Sequence, residues 1–131
     1  MDRDPLPVHL QLRNVGKVYH SMNGDLVALA NVNLDVREGE FLSLLGPSGC
    51  GKSTVLRCLA GLEDTSSGAV VVNGKQVNGP PEGLGIVFQR DVLLDWRTVM
   101  DNVLLPFEFT GSRKVREMKP HAMKLLRMVG L

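Results

Sequence analysis

No apolar run in this sequence approaches the roughly 20 residues needed to span a bilayer. The opening Met1-Asp2-Arg3-Asp4-Pro5 lacks the pattern of a secretion signal. Charge of one sign is also lacking. Lys and Arg number 15 against 14 Asp and Glu, and a net charge of +1 gives no electrostatic case for nucleic acid or anionic lipid as a partner. Cysteine is scarce: only Cys50 and Cys58 occur. If Cys50 opens a helix, Cys58 lies two turns on, about 12 Å away. A disulfide needs Cα atoms within roughly 7 Å. Neither thiol has a metal-ligating neighbour. Cys50 is read as a spacer in a loop and Cys58 as a small buried hydrophobe, which suits a reducing compartment. There is no internal repeat and no low-complexity tract. With these absences the expected location is the cytosol, with docking on a membrane protein still open.

What is present is ordinary in bulk. The 131 residues make room for about one domain. Hydrophobic content of 44% with 22% charged residues suits a soluble globular chain. The informative stretch is Gly46-Pro47-Ser48-Gly49-Cys50-Gly51-Lys52-Ser53-Thr54. It has the G-x-x-x-x-G-K-S spacing of a phosphate-binding loop. The apolar run Phe41-Leu42-Ser43-Leu44-Leu45 enters it and predicts a buried strand. Val55, Leu56 and Leu59 leave it at helical spacing, and Gly61 is placed to end that helix. The start of a helix offers unpaired N–H groups and the positive end of the helix dipole. Gly49 and Gly51 allow a sharp turn and close approach to phosphate oxygens. Lys52 supplies a cation for the β- and γ-phosphates, and the Ser53 hydroxyl is the expected magnesium ligand. The alternative is an ordinary glycine-rich turn with a chance lysine. The full motif in its full setting weighs against it.

Elsewhere, Leu10 to Leu12 and Val15 to Tyr19 predict one short strand with an irregular end. Val27 to Ala30 and Val32 to Val36 predict two more, with Val32, Leu34 and Val36 alternating with polar residues. Asp64 to Gly68 is a loop. Ala69 to Val72 predicts a strand, and Asn73-Gly74 is a hairpin signal before Lys75-Gln76-Val77. Leu84 to Phe88 predicts another strand, ending at Gln89. The pattern then turns helical over Val99 to Phe109 and again from Ser112. Pro106 and Pro120 are expected to kink, interrupt or restart those helices. His9, His20 and His121 have no evident partner and are read as surface residues.

With the loop, Tyr19 and Gln89 in place, the chain resembles the ATP-binding subunit of an ABC transporter, from about Leu10 to Leu131. The loop has the family's narrower form. Tyr19 matches the family's aromatic that stacks on adenine, though alone it would be a half-buried strand residue. Gln89, in Val87-Phe88-Gln89, matches the Q-loop glutamine that contacts magnesium and senses the transmembrane partner, though alone it would be a solvated strand end. Leu62-Glu63, Ser67-Gly68 and Val72-Asn73-Gly74 follow the family's course, while Asp64-Thr65 stands where a proline is frequent. Residues Phe88 to Val99 are nearest the branch serving nitrate, sulfonate and taurine importers, with Asp95 in place of that branch's proline. Trp96 is open to two readings: docking on the membrane subunit, or cover for the core of a helical lobe.

The resemblance implies an α/β fold. A P-loop NTPase core with a mixed β-sheet and N-terminal antiparallel strands would occupy residues 1–93, and the start of a helical subdomain residues 94–131. It implies binding of ATP and Mg2+ by Tyr19, Gly46, Pro47, Ser48, Gly49, Cys50, Gly51, Lys52, Ser53, Thr54 and Gln89, with Ser53 and Gln89 at the metal. Implied partners are transmembrane permease subunits, a second ATP-binding subunit and, indirectly, a solute-binding protein. The implied location is peripheral, on the cytoplasmic side of the cell membrane. An Asp-Glu strand, the signature Leu-Ser-Gly-Gly-Gln and a switch histidine do not occur here. Val92-Leu93-Leu94-Asp95 imitates the first, but Trp96 follows. Hydrolysis is therefore expected of a longer, intact subunit and not of these residues alone, and the chain is read as the N-terminal half of such a subunit. The competing reading is a truncated, non-catalytic nucleotide-binding remnant. A kinase or GTPase is disfavoured: there is no Asn-Lys-x-Asp guanine reader.

Overall fold

A computed structural model of the chain describes residues 6–109 and 112–131, the side chains of 112–114 excepted. Contacts divide it between Ile86 and Val87 into two units.

The first unit is built on strands β1 (Val8–Ser21) and β2 (Gly24–Arg37), which form a long antiparallel ribbon. Strand β3 (Ser67–Val72) pairs with the other side of β1, and β4 (Lys75–Gln76) pairs with β3, giving the order β2-β1-β3-β4. The short strand predicted near the N-terminus is thus 14 residues long, and the two predicted after it are one strand. Bulges break the register between Leu12 and Val15 and again around Lys17. Asn14 and Asn31 take positive φ (both 51°) there, a conformation asparagine tolerates better than most residues. The Asn33 side chain ties the distortion together, accepting from the Asn14 amide at 2.9 Å and donating to the Asn31 carbonyl at 3.1 Å. The Asn73-Gly74 hairpin forms as expected, with both residues at positive φ (50° and 74°).

Helix α1 (Lys52–Leu59) covers this sheet. It presents Val55 and Cys58 to Leu12, Val15, Leu29 and Val70, with Val32, Leu34, Leu59 and Val77 packed around them. Burying side chains of this size contributes about 1.5–3 kcal/mol each. Gly61 stops the helix as predicted. Its amide donates to the Cys58 carbonyl at 3.1 Å, and the Leu62 amide donates to the Arg57 carbonyl at 3.0 Å. That pair of bonds is a Schellman motif.

Two predicted strands are not formed. Phe41 to Leu45 has no regular structure and no strand partners among the described residues, and Phe41 and Leu45 are each 92% exposed. Leu84 to Phe88 is likewise irregular and exposed. An apolar run specifies a strand only where a ladder and a covering layer are available, and β2 has already left the sheet at Arg37. All pairings among the described residues are antiparallel.

The second unit contains α2 (Val99–Phe109) and α3 (Ser112–Met128), packed on each other around Leu104 and Ala122. Both helices run through their prolines without interruption or restart. Each proline forfeits one backbone bond, and the helix pair's packing offsets it. Thr98 caps α2 by accepting from the Asp101 amide at 3.1 Å. Asn102 holds the turn before it through the Leu94 amide (2.8 Å) and the Leu94 and Thr98 carbonyls (3.1 and 3.0 Å). Arg97 adds a two-pronged ion pair to Glu108 at 2.8 and 2.7 Å. No helix among the described residues is long and apolar enough to cross a membrane.

Candidate nucleotide site

The loop Gly46 to Thr54 lies on β2 and opens α1, which begins at Lys52, two residues after Cys50. Gly51 is the helix N-cap, with φ 95°, and no side chain caps the helix. Its first amides therefore have no intrahelical acceptor. Gly49 also takes a positive φ, 80°. Gly51 is doubly constrained, because a Cβ there would stand 2.7 Å from the Ala28 carbonyl oxygen and 2.9 Å from Leu29. Contact of this kind seats the loop on β2. Pro47 and Ser48 are exposed in the turn, Ser53 is exposed in the first helical turn, and Thr54 is half-buried behind it.

Lys52 folds back over its own loop. Its ammonium donates to the Gly46 carbonyl at 2.8 Å and the Pro47 carbonyl at 2.7 Å, with Cys50 Sγ at 3.5 Å. Carbonyl oxygens here occupy a cation whose stronger partner would be an anion. Cys50 is an exposed free thiol and Cys58 a buried free one, as expected. Burial pushes the Cys58 thiol above its ordinary value, and the Glu63 carboxylate adds to the effect.

Tyr19 sits half-buried near the far end of β1, opposite Leu26. Its strand neighbour Lys17 pairs with Leu29, the residue beside Gly51. The ribbon thus brings the Tyr19 end of β1 toward the loop. The contact that sequence reasoning missed is Lys17 itself, whose Nζ lies 5.2 Å from the Tyr19 ring centroid. Residues two apart share a strand face, so the pairing was legible in principle. Another correction concerns His20. It is exposed, as expected, but it has a partner: Nδ1 lies 2.7 Å from Asp25 Oδ1.

Gln89 belongs to the second unit, in an exposed segment without regular structure. Val92 to Asp95 is no strand either. Trp96 is 80% exposed, so among the described residues it does not cover the core between α2 and α3.

An uncapped helix start, glycines in left-handed backbone and an adjacent lysine are the parts from which phosphate-binding cradles are built. The family of ABC transporter domains matches residues 29–131, and the chain belongs to that family. It is 44% identical over 129 residues to an uncharacterized ABC transporter ATP-binding protein of Methanocaldococcus jannaschii, covering 98% of this chain and 48% of that protein. It is 45% identical over 104 residues to the taurine import ATP-binding protein TauB of Rhizobium johnstonii, covering 79% of this chain and 39% of that one. A solved dimer of an ATP-binding cassette, in a post-hydrolysis state with ADP and phosphate, superposes with a TM-score of 0.80 at 34% identity. That superposition covers 93% of this chain and 57% of the cassette. The fold is accordingly that of an ABC cassette's P-loop core. The chain spans about half the length of the curated relatives it matches.

Proposed function

We propose that this chain binds ATP with Mg2+ as part of the ATP-binding subunit of an ABC importer. The observation that carries the reading is the loop: Gly49 and Gly51 in left-handed backbone, an uncapped α1, and Lys52 held over the loop's carbonyls. Phosphate oxygens accept from the α1 amides, and Lys52 exchanges its carbonyl partners for the β- and γ-phosphates. Tyr19 stacks on the adenine. Ser53 would offer its hydroxyl to a magnesium ion, which would supply neutralisation of phosphate charge. A hard oxygen donor on an exposed helix start suits that ion.

In the intact subunit, ATP hydrolysis drives solute import. A second ATP-binding subunit and transmembrane permease subunits are the partners, with a solute-binding protein acting through the permease. The subunit lies peripherally on the cytoplasmic side of the membrane. Residues Phe88 to Val99 and the likeness to a taurine import protein favour the nitrate, sulfonate and taurine branch. Exposed Trp96, on a turn fixed by Asn102, is a docking point for the permease.

Titration of the chain with a fluorescent ATP analogue, with and without Mg2+, tests the reading. Saturable binding is expected, weakened about tenfold or more by Lys52→Ala, the loss of one charge-assisted contact. Binding undiminished in that variant would sink the role of Lys52. No saturable binding by the unaltered chain would sink the proposal.

A further inference from the structure

The segment that follows α1 straps onto β1 beside Tyr19. The Ser66 amide donates to the Gly16 carbonyl at 2.8 Å, and its hydroxyl accepts from the Val18 amide at 3.0 Å. Within this strap, the Asp64 carbonyl accepts from Lys17 Nζ at 2.7 Å, and Glu63 Oε1 lies 3.4 Å from the same nitrogen. The Lys17 and Glu63 side chains are only 14% and 19% exposed. Glu63 also faces Arg57 of α1, at 4.0 Å.

A lysine ordinarily holds its ammonium out in water on a mobile stem. Here two anchors hold it 5.2 Å from the Tyr19 centroid, within cation–π range. The negative face of the ring attracts the cation, so the contact fixes the plane of the ring and covers one face. A planar base then stacks on the opposite face. The anchors come from the turn that ends the helix leading out of the phosphate loop, so the base platform and the phosphate cradle share one support.

We infer that Lys17 is a positioning residue for base recognition, setting the plane of Tyr19 for a purine and tying it through Glu63 and Asp64 to the end of α1. The inference rests on the ATP-binding reading above. Its signature is selective. Loss of Lys17 weakens binding of ATP, which has a base, and spares inorganic tripolyphosphate, which has none.

The test is competition binding of ATP and of tripolyphosphate to the full chain and its variants. Lys17→Met is expected to weaken ATP about five-fold while tripolyphosphate stays within about two-fold, the scale of one desolvated cation–π contact. Lys17→Arg keeps the cation and restores ATP binding. In a Tyr19→Leu background, Lys17→Met has no further effect on ATP, because the platform it acts through is gone. The ring signals of Tyr19, the chain's one tyrosine, shift on adding ATP, and in Lys17→Met that shift shrinks. Equal weakening of both ligands, or equal weakening of ATP with and without Tyr19, would overturn the positioning role. So would ATP binding in Lys17→Met that matches the unaltered chain, while leaving the ATP reading intact. Absence of ATP binding in the unaltered chain overturns both.

Discussion

A Cβ on Gly51 would stand 2.7 Å from the carbonyl oxygen of Ala28, on the strand against which the loop rests. Two separate demands therefore fall on one residue, a left-handed φ of 95° and a backbone neighbour that cannot move aside without breaking β2. Gly49, at φ 80°, has open space where its Cβ would be. Gly51→Ala should cost about 2–3 kcal/mol of stability and Gly49→Ala about 1 kcal/mol. Urea unfolding of the two variants measures the difference. Equal costs would mean that seating on β2 is not what requires glycine at position 51.

Lys52 makes only exposed bonds to its own loop. Removing it should leave stability within about 0.5 kcal/mol, as for other exposed polar contacts. Added nucleotide should separate the variants. At 100 times its dissociation constant a ligand stabilises by about 2.7 kcal/mol. Thermal melts with Mg2+ and ATP should show that gain in the unaltered chain and lose most of it in Lys52→Ala.

The two thiols should differ in reactivity and in pH dependence. Cys50 is exposed and Cys58 is 1% exposed. A thiol reagent should modify one cysteine in the native chain and both in urea. Burial first, and then the Glu63 carboxylate, hold the Cys58 pKa above its ordinary value. Between the unfolded and folded pKa values the native state holds the proton more tightly. Stability from this group is thus intact below the ordinary thiol range and lost as pH rises through the folded value. Cys58→Ala should flatten that alkaline decline in a series of urea melts, and an unchanged decline would assign it to other groups.

Leu12 is 2% exposed at the centre of the core, whereas Leu45 is 92% exposed on the approach to the loop. Leu12→Ala should cost about 2–5 kcal/mol, a large share of a small domain's stability. Leu45→Ala should fall within about 0.5 kcal/mol. A large cost at Leu45 would show that Phe41 to Leu45 is buried in solution.

Legibility in the sequence followed the range of the interactions. The Asn73-Gly74 turn, the stop at Gly61 and the bounds of α2 depend on residues within a few positions, and each formed as expected. Phe41 to Leu45 and Leu84 to Phe88 carried the composition of buried strands. A strand, however, is completed by partners remote in sequence, and neither stretch has them among the described residues. Pro106 and Pro120 failed as breakers for a related reason, since packing between α2 and α3 outweighs one missing bond apiece. His20 looked unpartnered because the register of β1 on β2 is what brings Asp25 to it.

The sequence by itself determined the glycine loop and the helix start that follows it, because a turn of this kind needs only local residues at fixed spacing. It determined likewise the family resemblance carried by Tyr19 and Gln89. Tertiary structure alone decided what surrounds them. Gly51 is pressed on Ala28, and Lys17 is anchored beside Tyr19 by a strap some 47 residues further along the chain. Those contacts depend on strand register and on the seating of α1 on the sheet, which are set by the packing of Leu12, Val15, Leu29, Val55, Cys58 and Val70 together.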